Sequence, residues 1–211
     1  MTRLSYILLL SVLLSACGMG SKKQNDSTDK ENSSEVKTSN KVNQTTIYLN
    51  NADNVSIGEI SIGTDVLINL GDIHIYRKTG SSGKAKYINK QGNVIAKINV
   101  YDDAIKLKKE NGELLYKVKI YESKLKVASD NEMTNPFEIK SKHSKLFKVY
   151  QQGNEIGNII FENQRATIEI GDTHINAVGL GADKVAGIFA LNEIEMSYRC
   201  IMVAELLLNN F

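Results

Sequence analysis

The chain has no tryptophan, one proline (Pro136) and two cysteines in 211 residues. With so little proline, long stretches can pair as strands without losing a backbone donor. Two cysteines, Cys17 and Cys200, allow one disulfide at most, so a disulfide-dense scaffold is excluded and the fold has to be held by its core. Long apolar runs are also missing. The most apolar stretch near the start, Leu4 to Leu14, is far short of the roughly 20 residues that span a bilayer as a helix. Several catalytic signatures are absent as well. There is no G-x-S-x-G elbow, no H-E-x-x-H helix and no phosphate-cradling glycine loop. His143 lies in the polar run Lys142-His143-Ser144-Lys145 and reads as a solvated turn residue. None of these signatures points to an enzyme, and no cofactor is expected.

What the first residues do contain is ordered. Arg3 precedes the Leu-rich stretch, and Leu14-Ser15-Ala16-Cys17 closes it. A positive start, a short apolar core and small residues at the end are the parts of a secretory leader. With the cysteine in place the segment resembles a bacterial lipoprotein signal peptide and its lipobox. The resemblance implies cleavage after Ala16 (leader 1–16) and lipidation of Cys17. Two or three acyl chains, at about 0.8 kcal/mol per buried CH₂, make a durable anchor where one chain does not. It also implies a place in the cell envelope. Gly18, where an aspartate would signal inner-membrane retention, points to the outer membrane. Nucleic acid is a poor partner in that compartment. Lipidation of Cys17 would leave Cys200, in the apolar run near the C-terminus, as a buried small hydrophobe without a disulfide.

From Gly18 to Thr46 the chain is dominated by Ser, Asn, Lys, Asp, Glu, Thr and Gln. Such a tract buries too little apolar surface to offset its ordering entropy. As a tether (17–46, with the cysteine) it would reach about 30 Å on average.

The body, Ile47 to Phe211, has the size of one domain. It carries 20 Lys and Arg against 20 Asp and Glu, but unevenly. Between Lys84 and Lys148 there are 15 lysines and 8 acids, and beyond Lys148 three basic residues against eight acids. A neutral total therefore hides a basic middle and an acidic end.

Apolar and polar residues alternate through most of the body, as in Val94, Ala96, Ile98 and Val100, which is the period of half-buried strands. Gln91-Gly92-Asn93, Asn111-Gly112 and Gln152-Gly153-Asn154 supply the positive φ angles of tight hairpins. The hairpins repeat: KYINKQGNVIAKI from Lys86 aligns with KLKKENGELLYKV from Lys106 at an offset of 20. A second echo pairs INLGDIHI (Ile68–Ile75) with IEIGDTHI (Ile168–Ile175) at an offset of 100. From about Asp183, a candidate N-cap, to Leu208 the period becomes helical and apolar on nearly every side, so a buried helix is expected, either continuous or broken near Asn192. Glu195 and Arg199 are spaced to pair along it.

The fold class that follows is mainly β with a C-terminal helix: an antiparallel hairpin meander closed as a barrel around the apolar helix. Closure would remove the sheet edges and the helix would fill the interior. The alternative is an open β-sandwich with the helix across one face. The hairpins at Gly92 and Gly112, followed by I-A-K-I and L-Y-K-V, and the run VAGIFAL…CIMVAELLL together resemble the Tubby C-terminal-like fold, more narrowly its LURP-one-related group. That resemblance implies a barrel closed on a central hydrophobic helix over residues 47–211. Tubby members bind anionic phosphoinositide headgroups, and the related scramblases act at membranes.

Two constellations are candidates for function. Lys84/Lys86, Lys106/Lys108, Lys117/Lys119, Lys124/Lys126 and Lys140/Lys142 are each spaced i, i+2, which places both members on one face of a strand. Successive hairpins would then build a lysine ladder able to rest on anionic lipid or an acidic envelope protein, at about 1 kcal/mol per basic residue. The competing reading is that these lysines keep strands soluble, with Asp102, Asp103, Glu110, Glu113 and Glu122 partly neutralising them. The second constellation is the duplicated Gly-Asp-x-His. If the two copies met, Asp72, His74, Asp172 and His174 could hold zinc and support a metal-dependent or lipid-processing activity. Otherwise they are turn residues followed by an outward histidine.

Overall fold

The computed structural model describes residues 44–211. The leader, Cys17 and the polar tract up to residue 43 lie outside the described residues. Fourteen strands follow one another: β1 (Thr45–Asn51), β2 (Ser56–Ile62), β3 (Val66–Leu70), β4 (Ile73–Thr79), β5 (Lys84–Asn89), β6 (Val94–Tyr101), β7 (Ala104–Lys108), β8 (Leu114–Ile120), β9 (Lys124–Ala128), β10 (Phe137–His143), β11 (Leu146–Gln151), β12 (Asn154–Glu162), β13 (Arg165–Ile170) and β14 (Thr173–Val178). Each pairs antiparallel with its sequence neighbours, and β14 pairs with β1 to close a barrel. The open sandwich is therefore excluded.

The alternation in the sequence is the inside–outside alternation of this wall. Ile47, Leu49, Ile60, Ile98, Leu107, Val118, Val149 and Ile168 point inward and are fully buried. Both echoes are structural. The 20-residue repeat is the β5–β6 and β7–β8 hairpins, which even share a register shift at equivalent places, Tyr87/Ile88 and Leu107/Lys108. The 100-residue repeat is the β3–β4 and β13–β14 hairpins, where Ile68 faces Ile75 and Ile168 faces Ile175. Asn89 shows how one turn is fixed: its side-chain oxygen accepts from the backbone N–H of Gln91 and Asn93 at 3.0 and 2.9 Å, and Gly92 takes a φ of +84°.

The interior is filled by the C-terminal segment in two pieces. A 3₁₀ helix spans Lys184–Ala190, capped by Asp183, whose carboxylate accepts from the Val185 N–H at 2.9 Å. After the linker Leu191–Glu195 comes α1 (Met196–Leu208). The 3₁₀ piece packs against β9 to β14, and α1 against β2, β3 and β7. The two pieces also pack on one another, so each covers part of the lining. From Arg199 to Leu206 every residue of α1 is buried, which is why its sequence is apolar on all sides. At about 1.5–3 kcal/mol per fully buried aliphatic side chain, Ile201, Met202, Val203 and Leu206 tie the helix to the wall.

The segment is not a continuous helix but two pieces joined by a linker. Gly187 lies so close to Ile139 of β10 that an added Cβ would fall 2.5 Å from Ile139 Cγ2. At Glu195 the backbone turns to ψ 139°, and α1 starts afresh.

Two charged residues of α1 are inside the barrel. Glu205 is fully buried. Its carboxylate accepts from Arg77 Nε at 2.6 Å and Arg77 Nη2 at 3.5 Å, from Tyr87 Oη at 2.9 Å and from Asn209 Nδ2 at 3.3 Å. Burial first, then Glu205, drives the Tyr87 phenol well above its ordinary range. The expected Glu195–Arg199 pair does not form. Glu195 accepts instead from Ser197 Oγ at 2.6 Å, while Arg199 donates through Nη1 to the Phe189 carbonyl at 2.5 Å, near the end of the 3₁₀ helix. Cys200 is buried, and desolvation pushes its thiol up to about 12, so it is an unreactive packing residue.

Candidate functional site

The i, i+2 lysines all come from the outward positions of β5, β7, β8, β9 and β10, because Ala85, Tyr87, Leu107, Val118, Leu125 and Ile139 occupy the inward ones. What the pairs do not reveal is how they align across strands. Lys78 of β4 faces Lys86 of β5, Lys86 faces Lys97 of β6, and Lys97 faces Lys108 of β7. Four lysines thus stand in one row across four strands. Lys106 faces Lys117, Lys119 faces Lys126, and Lys140 lies between Lys124 and Lys148. Like charges directly opposite one another destabilise a sheet.

The wall divides into two parts. On β8–β10, acids intervene. Glu138 sits between Lys126, at 2.6 Å, and Lys140, and these two hydrogen bonds lower its carboxyl to about 2. Asp103 lies 3.7 Å from Lys119. On β4–β8, among the described residues, Lys78, Lys84, Lys86, Lys97, Lys106, Lys108 and Lys117 have no carboxylate partner. Lys97 and Lys117 reach only backbone carbonyls, those of Glu110 and Asn131. Of the acids expected to neutralise this face, Glu113 pairs with Lys109 and Asp103 with Lys119. Lys142 lies past the register shift of β10 and stands 5.5 Å from the Tyr150 ring.

Between β5 and β6 the wall is dimpled. A cavity of about 230 Å³ is lined by Lys84, Lys86, Lys97 and Asn99, with Gly80 and Ser81 of the β4–β5 turn at one side and Ala85 and Ile98 also contributing. Next to it Tyr101 is exposed, and Lys106 lies 5.5 Å from its ring. The Tyr101 phenol is held below its ordinary range by its hydrogen bond with Asn99 and then by the charges of Lys106, Lys108 and Lys84. An anion meeting this surface finds ammonium groups, an amide and a hydroxyl. Lys78 and Lys97 were not among the sequence pairs; their inclusion needed the cross-strand register.

The duplicated turns do not assemble a metal site. Gly71-Asp72 and Gly171-Asp172 are the β3–β4 and β13–β14 turns, with both glycines at positive φ. They lie at the same end of the barrel, but β1 and β2 stand between them. His74 and His174 are thus four strand spacings apart, about 19 Å along the wall. His74 Nδ1 is 2.6 Å from Asn69 Oδ1, and His174 Nδ1 is 3.8 Å from Glu169 Oε1, each facing its own hairpin partner. Among the described residues no three His, Cys, Asp or Glu side chains converge as a metal would need. The sequence identity of the two copies reflects a shared hairpin, and the expectation that Asp72, His74, Asp172 and His174 meet is corrected.

No family known from sequence matches the chain, and no curated protein does. Among solved structures, a protein of Arabidopsis thaliana determined by X-ray crystallography is similar at 9% identity, covering 57% of this chain and 89% of its own, with a TM-score of 0.33.

Proposed function

We propose that this protein is a lipid-anchored, non-catalytic binding protein of the bacterial cell envelope, and that its β4–β8 wall engages anionic lipid. The observation that carries the reading is the row Lys78, Lys86, Lys97 and Lys108, aligned across four strands with no carboxylate partner among the described residues. The lysines Lys84, Lys86 and Lys97 around the mostly apolar dimple between β5 and β6 would meet the headgroup charge at its rim. The lipobox at Cys17, the outer-membrane placement and membership of the Tubby C-terminal-like fold in its LURP-one-related form belong to the same proposal. The closed barrel filled by an apolar helix supports the last of these.

Two experiments test it. Mass spectrometry of the membrane-extracted protein should find an acylated Cys17 at the new N-terminus, and Cys17→Ser should move the protein to the soluble fraction. The Cys17→Ser form, free of the anchor, should then float with phosphatidylglycerol vesicles at low salt and not with phosphatidylcholine vesicles. At about 1 kcal/mol per lysine, combined Lys78→Gln, Lys86→Gln, Lys97→Gln and Lys108→Gln should lower partitioning by nearly a thousandfold. Flotation unchanged by the four substitutions would sink the wall reading.

A further inference from the structure

The far end of the barrel, opposite the end where the chain enters at β1, is plugged by the linker Leu191–Glu195. Beside the plug is a cavity of about 300 Å³. Tyr116, Val127, Phe137 and Ile194 give it apolar and aromatic walls on one part, while Ser129, Gln151 and Glu193 bring polar groups to the rest. The Glu193 carboxylate is only loosely engaged: it accepts from Gln151 Nε2 at 3.3 Å. The Tyr116 ring is backed by Tyr198, with centroids 6.2 Å apart and planes tilted by 54°. The connection that closes the cavity, Ser129 to Pro136, is the longest of the hairpin turns and contributes Thr134 and Asn135.

The charge of this cavity contrasts with the wall. No lysine or arginine lines it. Burial raises the Tyr116 phenol, the neighbouring Tyr198 raises it next, and the negative charges of Glu195 and Glu193 add to it. The local field therefore repels anions. A purely apolar guest would leave Glu193 unused, whereas a cation gains from the carboxylate and from the faces of aromatic rings together. We propose that this cavity binds a small organic ammonium ion, with Glu193 as its counter-charge and Tyr116 and Phe137 as its aromatic walls. A cavity near the lower end of the size range for ligand sites suits a compact head such as a quaternary ammonium group. The proposal is independent of the anionic-wall reading, since it uses different residues at a different place on the barrel.

The test uses the full-length Cys17→Ser protein with ¹³C-labelled tyrosine. Choline is the probe, and 3,3-dimethylbutan-1-ol is its uncharged isostere. Choline should shift the Tyr116 and Tyr198 resonances saturably, and the alcohol should bind at least about tenfold more weakly, as expected of a cation-selective aromatic site. Glu193→Gln, at an exposed position, should weaken choline by about tenfold or more. Tyr116→Phe should retain binding and Tyr116→Ala should lose it. The proposal is overturned if choline produces no saturable shift, if the alcohol binds as tightly as choline, or if Glu193→Gln leaves the affinity unchanged.

Discussion

Glu205→Gln is the perturbation that most directly probes how the helix is locked into the barrel. Glu205 is fully buried, and its carboxylate takes hydrogen bonds from Arg77, Tyr87 and Asn209. Glutamine keeps the shape and removes the charge. It also turns one acceptor into an NH₂ group facing donors, so at least one of those bonds is lost. Breaking a buried ion pair from one side costs about 3–5 kcal/mol when the remaining charge is trapped. Arg77 is not fully trapped, since 18% of its side chain is exposed. It can turn partly to water, which brings the cost to the bottom of that range or just below it, at about 2–3 kcal/mol. For a domain of this size that lowers Tm by roughly 4–12 °C. The assay is urea unfolding followed by far-ultraviolet circular dichroism, because no tryptophan is present to report. A double-mutant cycle with Arg77→Met should show a coupling of about 1.5 kcal/mol or more. A loss below about 0.5 kcal/mol for Glu205→Gln, or additivity in the cycle, would refute a buried charge pair between β4 and α1.

Three further outcomes are expected. Gly187→Ala should destabilise the barrel by about 1–3 kcal/mol by overpacking against Ile139, and Ile139→Val should recover part of that loss in the double variant. Glu138, lowered to about 2 by Lys126 and Lys140, contributes stability that is present above its unfolded pKa and is lost as pH falls from about 4.5 to about 2; urea titrations should show about 1 kcal/mol lost across that window, and Glu138→Gln should flatten it. Tyr87, raised by burial, contributes stability that is full below pH about 10 and declines as pH rises beyond it; Tyr87→Phe should reduce the alkaline slope, leaving the share of Tyr116 and Tyr198, while costing about 1–2 kcal/mol at neutral pH, and an unchanged slope would mean the phenol is not buried beside Glu205.

The hairpins, their turns, the closed wall and the buried C-terminal segment were legible because each has a local cause. Period-2 alternation marks a wall with one dry face, Asn and Gly mark turns, and a segment apolar on every side has nowhere to go but inside. What was not legible depends on pairings remote in sequence. Arg77 and Glu205 are 128 residues apart, and nothing local to either announces the other. The close approach of Gly187 to Ile139 of β10 is likewise a tertiary fact. The Gly-Asp-x-His echo was read correctly as a repeat, but repeats at an offset of 100 say nothing about spatial distance until the strand order is known.

The lysine wall shows the same limit in a form that bears on function. Sequence spacing gives the face each lysine occupies; only register gives its neighbours. If the lysines served solubility alone, a mixture of signs would serve as well and would cost less. The β8–β10 part of the wall has such a mixture, with Glu138 placed between Lys126 and Lys140. The β4–β7 part does not: Lys78, Lys86, Lys97 and Lys108 stand directly opposite one another with no acid between them. Cross-strand repulsion of that kind costs up to about 1 kcal/mol per pair. Elsewhere on the same wall an acid does stand between lysines, as Glu138 does between Lys126 and Lys140. Under the proposed function the missing counter-charge is an anion that arrives from outside, and the flotation of the fourfold Gln variant decides whether it does.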